Sequence, residues 1–248
     1  MTVILKLGGS VITEKSSPET VDNRALSEST QAVADALGTG VVDSLVVVHG
    51  GGSFGHYHAN VHGVSTTAGT TDADAVAAIC GAMARLNETV CTMLRERDVP
   101  AVAIHPLSLA YRDHSGQLVV PTGAIEALFS EGFVPVVHGD LVADVGSGLT
   151  VASGDELIVE LAHGLGADRV GLCSAVPGVL DADGLVIDRI EDYETVEAVL
   201  GESDTTDVTG GMAAKVRALL DLDADASIFG REHLPAFLRG EAVGTTVS

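Results

Sequence analysis

An α/β fold around a buried, mainly parallel sheet is what this sequence predicts, and three observations predict it. Short Val, Ile and Leu runs recur along the 248 residues, they are apolar throughout rather than alternating, and stretches of helical period separate them. Hydrophobic residues make up 46% of the chain and are mostly Val, Ala and Leu, so one large core can be filled with small side chains.

In chain order, strands are expected in TVILKL (2–7), SLVVVH (44–49), VPAVAIH (99–105), FVPVVHG (133–139), DRVGLCS (168–174) and ASIFG (226–230). Helices are expected over 22–37, 72–97, 122–131, 154–166, 192–200 and 210–222. The turns at Ser115-Gly116 and Asp183-Gly184 read as hairpins on the sheet rim. HYHANVHGVSTTAG (56–69) has no helical apolar period and reads as loop. No internal repeat, low-complexity segment or linker divides the chain, so one continuous sheet in a single domain is expected.

Thirty-five acidic against thirteen basic residues give a formal net charge of -22, which repels nucleic acid and anionic membranes. The acids are dispersed among packed-looking apolar residues, which indicates a salt-adapted (halophilic) globular protein rather than disorder. Cys80, Cys91 and Cys173 fit neither a disulfide framework nor a zinc knuckle, and the amino terminus runs straight into an apolar strand. A cytoplasmic protein with no membrane segment is expected.

Three glycine loops carry the chemistry. VVVHGGGSFGHYHA places four glycines within six residues after a strand, where backbone N–H groups can close on an oxyanion or phosphate. Gly50, Gly52 and Gly55 also match a dinucleotide-binding spacing, with Asp72 as the ribose acid, but that reading needs a helix where none is expected. LKLGGS supplies Lys6 beside Gly8, Gly9 and Ser10, a second turn expected at the same carboxyl edge of the sheet. TGGMAAKV leads from Gly210 and Gly211 into a helix bearing Lys215, whose side chain leans back toward the helix start. The chain has only three lysines, Lys6, Lys15 and Lys215, and all lie near glycine turns. Backbone donors plus point cations are what phosphoryl transfer requires, so the retained lysines are read as holding polyphosphate.

In order and spacing, ILKLGGSVITEKS, HGGGSFGHYHA, PVVHGD, ASGDE, TGGMAAKV and the terminal GTTV resemble the amino acid kinase superfamily, and within it the isopentenyl phosphate kinase family. The resemblance spans the whole chain. It implies an open three-layer αβα sandwich over 1–248, with an acceptor lobe at roughly 1–165 and a nucleotide lobe at roughly 166–248. It implies a homodimer that transfers the γ-phosphoryl of ATP, with Mg²⁺, to isopentenyl phosphate in an archaeal-type mevalonate route to isoprenoids. By the same resemblance Lys6 and Lys15 stabilise the transferring group, and Gly8, Gly9, Ser10, Gly52, Gly211 and Lys215 hold ATP. His56, with Gly51 and Gly154, binds the acceptor phosphate, and Asp155 orients the lysines.

An apolar slot for the isopentenyl tail is expected from Ile79, Met83, Leu86 and Val90, which recur at helical spacing. His56, His58 and His62 could gather a metal, but no Cys or carboxylate completes such a site locally and no metal ligand is assigned. Ala175 and Leu180 depart from the Thr-Asp-Val and Tyr elements common in the superfamily. The alternatives are a related phosphate or phosphonate kinase, such as a fosfomycin kinase, and a non-catalytic nucleotide sensor on the same scaffold. The charge reading has a direct consequence: screening by salt should stabilise the fold. Thermal unfolding should occur at a higher temperature in molar KCl than at low salt, and equal midpoints would contradict salt adaptation.

Overall fold

The structure, a computed structural model, describes residues 1–197, 200 and 211–248. Strand β1 (Thr2–Leu7) leads into a short helix α1 (Gly9–Ile12), followed by α2 (Asn23–Gly38), β2 (Ser44–His49), α3 (Gly52–His62), α4 (Ala73–Arg95), β3 (Ala101–Ile104) and α5 (Pro106–Leu109). Next come β4 (Tyr111–Arg112), β5 (Leu118–Val119), α6 (Gly123–Ser130), β6 (Val134–His138), β7 (Asp140–Asp144), β8 (Gly148–Ala152) and α7 (Gly154–Leu165). The described remainder forms β9 (Arg169–Ser174), β10 (Arg189–Ile190), α8 (Gly211–Leu220), β11 (Asp225–Gly230), α9 (Leu234–Leu238) and β12 (Thr245–Val247).

Eight strands form one sheet in the order β10-β12-β11-β9-β1-β2-β6-β3, parallel throughout except between β11 and β12. All six expected strands are present in it. The absence of alternation in their sequences has a simple cause: both faces are covered. Val3, Leu5 and Leu7 of β1 pack with Leu26, Leu86 and Phe237 of α2, α4 and α9, while Ile4 packs with Ile125, Leu157 and Val216 of α6, α7 and α8. Small residues permit close packing, as at Gly171, where a Cβ would meet the Phe237 ring.

Four expectations need correction or completion. A separate four-stranded sheet, β5-β4-β7-β8, lies outside the main one, so the sheet is not single. It contains the expected 115–116 hairpin, with Tyr111 paired to Val119, and the β7–β8 hairpin that sequence reading missed. The second expected hairpin is a bridge between Leu180 and Val186 around Gly184, at φ +78°. Of the helix expected over 192–200, a 3₁₀ turn forms at Tyr193–Thr195, while 198 and 199 lie outside the described residues, as do 201–210, including Gly210.

The fourth correction is α3. It occupies a segment read as loop because only Phe54 and Gly55 are buried, so no apolar stripe marks it. Gly63, left-handed at φ +65°, ends it with the usual helix C-terminal geometry. Among the described residues, no helix is long and apolar enough to cross a membrane.

Parallel pairing of β2 with β6 sets His49 beside His138 at the strand ends, with rings stacked 5.5 Å apart. Each Nδ1 lies 3.2 Å from the next residue's carbonyl, Gly50 or Gly139, which only accepts, so both rings carry their proton on Nδ1, and the Asn87 amide beside His49 Nε2 must present its NH2, whose nitrogen has no other partner among the described residues, to that ring. His138 Nε2 is then free to accept from His105 Nδ1 at 3.1 Å. Burial, opposed only in part by these hydrogen bonds, lowers the His49 pKa to about 4 and the His138 pKa to about 3. The unfolded chain therefore binds these two protons first, and the stability due to the neutral pair is complete above about pH 6.5 and declines as pH falls toward 4. Ring ¹⁵N shifts at pH 5.5 should be those of neutral imidazole for both residues. Imidazolium signals in the folded protein would contradict this.

Candidate active site

The carboxyl ends of β1, β2, β6 and β9 are stitched together where the glycine loops begin. Gly8 N–H donates to Cys173 O (2.9 Å), Gly50 N–H to Leu7 O (3.1 Å) and Gly139 N–H to His49 O (2.9 Å). The two glycine turns then meet backbone to backbone. A Cβ on Gly9 would fall on the backbone nitrogen of Gly52, and one on Gly50 would come within 2.7 Å of Gly9 N. Gly52 is also left-handed, at φ +48°. Thr13, which sequence reading did not single out, locks the pair: its Oγ1 donates to Gly9 O at 2.7 Å and accepts from Ser53 N–H at 3.0 Å.

Besides the short α1, three helices open at this point. α3 begins at Gly52, α7 at Gly154 and α8 at Gly211, and all three glycines line one cavity. Helix starts offer unpaired N–H groups and a positive dipole end, which suits anions. The start of α7 is fixed by a capping box: Ser153 Oγ accepts from Glu156 N–H (3.2 Å) and Glu156 Oε2 accepts from Ser153 N–H (2.9 Å). Arg112 of β4 grips the other Glu156 oxygen at 2.6 Å and donates to Val151 O at 2.9 Å. The rim sheet thereby braces the site. The Ser-x-x-Glu spacing was visible in the sequence, but its purpose was not.

Asp155, next along α7, lies between two lysines. Lys6 Nζ is 2.5 Å from Oδ1 and Lys215 Nζ is 3.8 Å from Oδ2. Gly154 gives Lys6 passage, since a Cβ there would be 3.2 Å from Lys6 Cε. Lys15 reaches the same cavity from the loop after Thr13, on a more exposed part of the wall. Asp140 is the other acid among the described lining residues; burial raises its pKa, against a hydrogen bond from Leu141 N–H. Among the described residues, three ammonium groups thus share a cavity with two carboxylates, one of them resisting ionisation. In a chain of net charge -22 this is a local positive centre.

The cavity measures about 940 Å³. It gathers Lys6, Gly8, Gly9, Ser10, Lys15, Gly51, Gly52, His56, Met83, Gly154, Asp155, Gly211 and Lys215, all of them sequence-expected site residues. His56 is exposed on α3. Val64, Ile79, Met83 and Val151 give an apolar stretch of wall. Leu86 does not belong to that wall. It is fully buried in the core with Val90, because it lies about 4.5 Å further along the helix than Met83, and Val90 about 10.5 Å further, beyond the end of the cavity. The dinucleotide reading fails for a different reason from the one expected. A helix does follow the glycines, but Gly55 packs on Met83 Sδ and Asp72 caps α4 by accepting from Asp74 N–H.

The amino acid kinase family model matches residues 1–226. The chain belongs to that family. It is 56% identical over 245 residues to the isopentenyl phosphate kinase of Haloferax volcanii, covering 99% of this chain and 98% of that one. The isopentenyl phosphate kinase of Methanothermobacter thermautotrophicus is 36% identical over 88% of this chain and 85% of its own. Among solved structures, an isopentenyl phosphate kinase superposes with a TM-score of 0.84 at 29% identity, covering both chains in full.

In this amino acid kinase the contact between the glycine turns is the feature least able to change. Gly9→Ala should weaken ATP binding at least tenfold by calorimetry, because the intruding methyl separates the loops. Gly123→Ala, where a Cβ meets open space, should leave binding intact. Equal affinities for Gly9→Ala and the unaltered protein would overturn the close-approach argument.

Proposed function

We propose that this protein is an ATP-dependent isopentenyl phosphate kinase, forming isopentenyl diphosphate in an archaeal-type mevalonate route to isoprenoids. The observation that carries the reading is the meeting, in one cavity, of the Lys6–Asp155–Lys215 cluster with His56 and an apolar wall. The extensive identity to relatives bearing that name supports it.

The acceptor determines what the site must do. A phosphate monoester has a second pKa of about 6, so its attacking oxygen is already ionised near neutrality and needs no general base. His56 then serves as a hydrogen-bond donor to the acceptor phosphate, with the N–H groups of Gly51 and Gly154 beside it. Gly8, Gly9, Ser10, Gly52 and Gly211 hold the ATP phosphates, and Lys215 the nucleotide tail. As negative charge spreads over the moving phosphoryl group, Lys6 and Lys15 stabilise it as point charges. Asp155 holds Lys6 and draws Lys215 toward it, which keeps the ammonium groups at fixed points before ATP arrives. The isopentenyl chain lies along Val64, Ile79, Met83 and Val151.

Among the described residues, no group of three His, Cys, Asp or Glu is placed to hold a metal. This donor set suits an ion that enters with the nucleotide: Mg²⁺ carried by ATP would supply positive charge at its phosphates. Residues roughly 1–165 serve as the acceptor lobe and roughly 166–248 as the nucleotide lobe, adjoining where β1 pairs with β9. The working form is a homodimer in a salt-rich cytoplasm.

The test is ADP release and diphosphate formation from Mg-ATP in high KCl, with isopentenyl phosphate and fosfomycin compared as acceptors. The unaltered enzyme should prefer isopentenyl phosphate, and His56→Ala should lower kcat/KM for it by roughly 100-fold or more, the scale of losing a charge-assisted contact to a transition state. Preference for fosfomycin would assign the other kinase. Tight ATP binding without turnover on either acceptor would leave a nucleotide sensor.

A further inference from the structure

Lys15 rides on the loop 14–20 between α1 and α2, and that loop is held unusually well for a surface segment. Glu14 N–H donates to Thr20 O at 3.0 Å and Thr13 bridges Val21, which closes the loop on itself. It is tied to the start of α3 as well: Glu19 N–H donates to Ser53 O (3.1 Å), and Ser53 Oγ exchanges hydrogen bonds with the Thr20 N–H (3.3 Å) and carbonyl (3.2 Å). Glu19 adopts a positive φ of +49°; among the described non-glycine residues only Asp98, at +59°, is also positive. Such a conformation is unfavourable for a residue with a Cβ and persists where surrounding contacts impose it.

The Glu19 carboxylate supplies those contacts. One oxygen accepts from Arg85 Nη2 (2.6 Å) and Nε (3.2 Å), and the other from His58 Nε2 (2.7 Å). His58 stands two residues beyond His56 on α3, and Arg85 two residues beyond Met83 on α4. One side chain therefore connects the Lys15 loop to both helices that supply the acceptor side of the cavity. Arg85, and then His58, hold the carboxyl below its ordinary range, so it is ionised throughout the neutral region.

We propose that Glu19 is a positioning residue for phosphoryl transfer, fixing the Lys15 loop against α3 and α4 so that the Lys15 ammonium stays in register with the acceptor bound at His56. This rests on the catalytic reading of Lys15 given above. Partly exposed ion pairs contribute little to global stability. A small displacement of a catalytic group, by contrast, lowers rate steeply. Glu19 thus acts on turnover rather than on the fold.

Glu19→Gly provides the test, because glycine is at ease at φ +49°, so the side chain and its carboxylate contacts are removed without backbone strain. Glu19→Gly, Lys15→Ala and the double variant are compared with the unaltered enzyme using Mg-ATP and isopentenyl phosphate. Glu19→Gly should lower kcat roughly tenfold, on the scale expected for a misplaced catalytic group. KM for isopentenyl phosphate should stay within about twofold on the same ground, and adding Glu19→Gly to Lys15→Ala should cause no further loss. Full kcat in Glu19→Gly, with Lys15→Ala impaired, would overturn the role of Glu19 alone. So would an equal fall in both backgrounds, since Glu19 would then act independently of Lys15. Unaltered activity in Lys15→Ala would instead remove the catalytic reading of Lys15, and the proposal with it.

Discussion

Everything at this site depends on two stretches of backbone passing closer than any side chain allows. Where Gly9 meets Gly50 and Gly52, the chain after β1 and the chain after β2 touch through main-chain atoms, and Thr13 secures the contact by bonding to both sides. The parallel pairing of β1 with β2 brings the two loops to one edge of the sheet. Absence of Cβ atoms then lets backbone from both loops line one cavity without side chains between them. A side chain at Gly9 would separate the loops, and the lysines would face a wider and wetter opening.

Charge is organised around this contact rather than spread through it. Lys6 comes from the central strand and Lys215 from α8, and they share the carboxylate of Asp155 at 2.5 and 3.8 Å. A buried cation without a partner is costly, and removing one member of such a pair generally costs about 3–5 kcal/mol. Asp155 therefore makes it possible to hold two ammonium groups in place before substrate binds. Its own place is set by the Ser153–Glu156 capping box and by Arg112, so the short rim strands brace this cluster through the start of α7.

Beneath the loops, the His49–His138 stack joins the strand ends to the glycine turns. Each ring donates to the carbonyl of the glycine that follows it. In a trans peptide the N–H points opposite to the C=O, so holding the Gly50 carbonyl down turns the Gly51 N–H away from the core. The recurrent His-Gly pairs in VVVHGG and PVVHGD thus belong to one construction, in which buried neutral imidazoles settle loop orientation.

By itself, the sequence determined the parallel α/β sheet, because strands buried on both faces must be apolar at every position. It also picked out residues that meet in one cavity, because all three lysines of so acidic a chain lie near glycine turns. Helix α3 was not legible: its exposed face serves a cavity rather than a core, so no periodicity records it. Nor was the division between Met83 and Leu86, which share one helical stripe and part only where the cavity ends. The tertiary structure alone decided these, along with Thr13, Glu19 and Arg112. Their importance lies in contacts with residues 38 to 66 positions distant, and local pattern carries no information about such pairings.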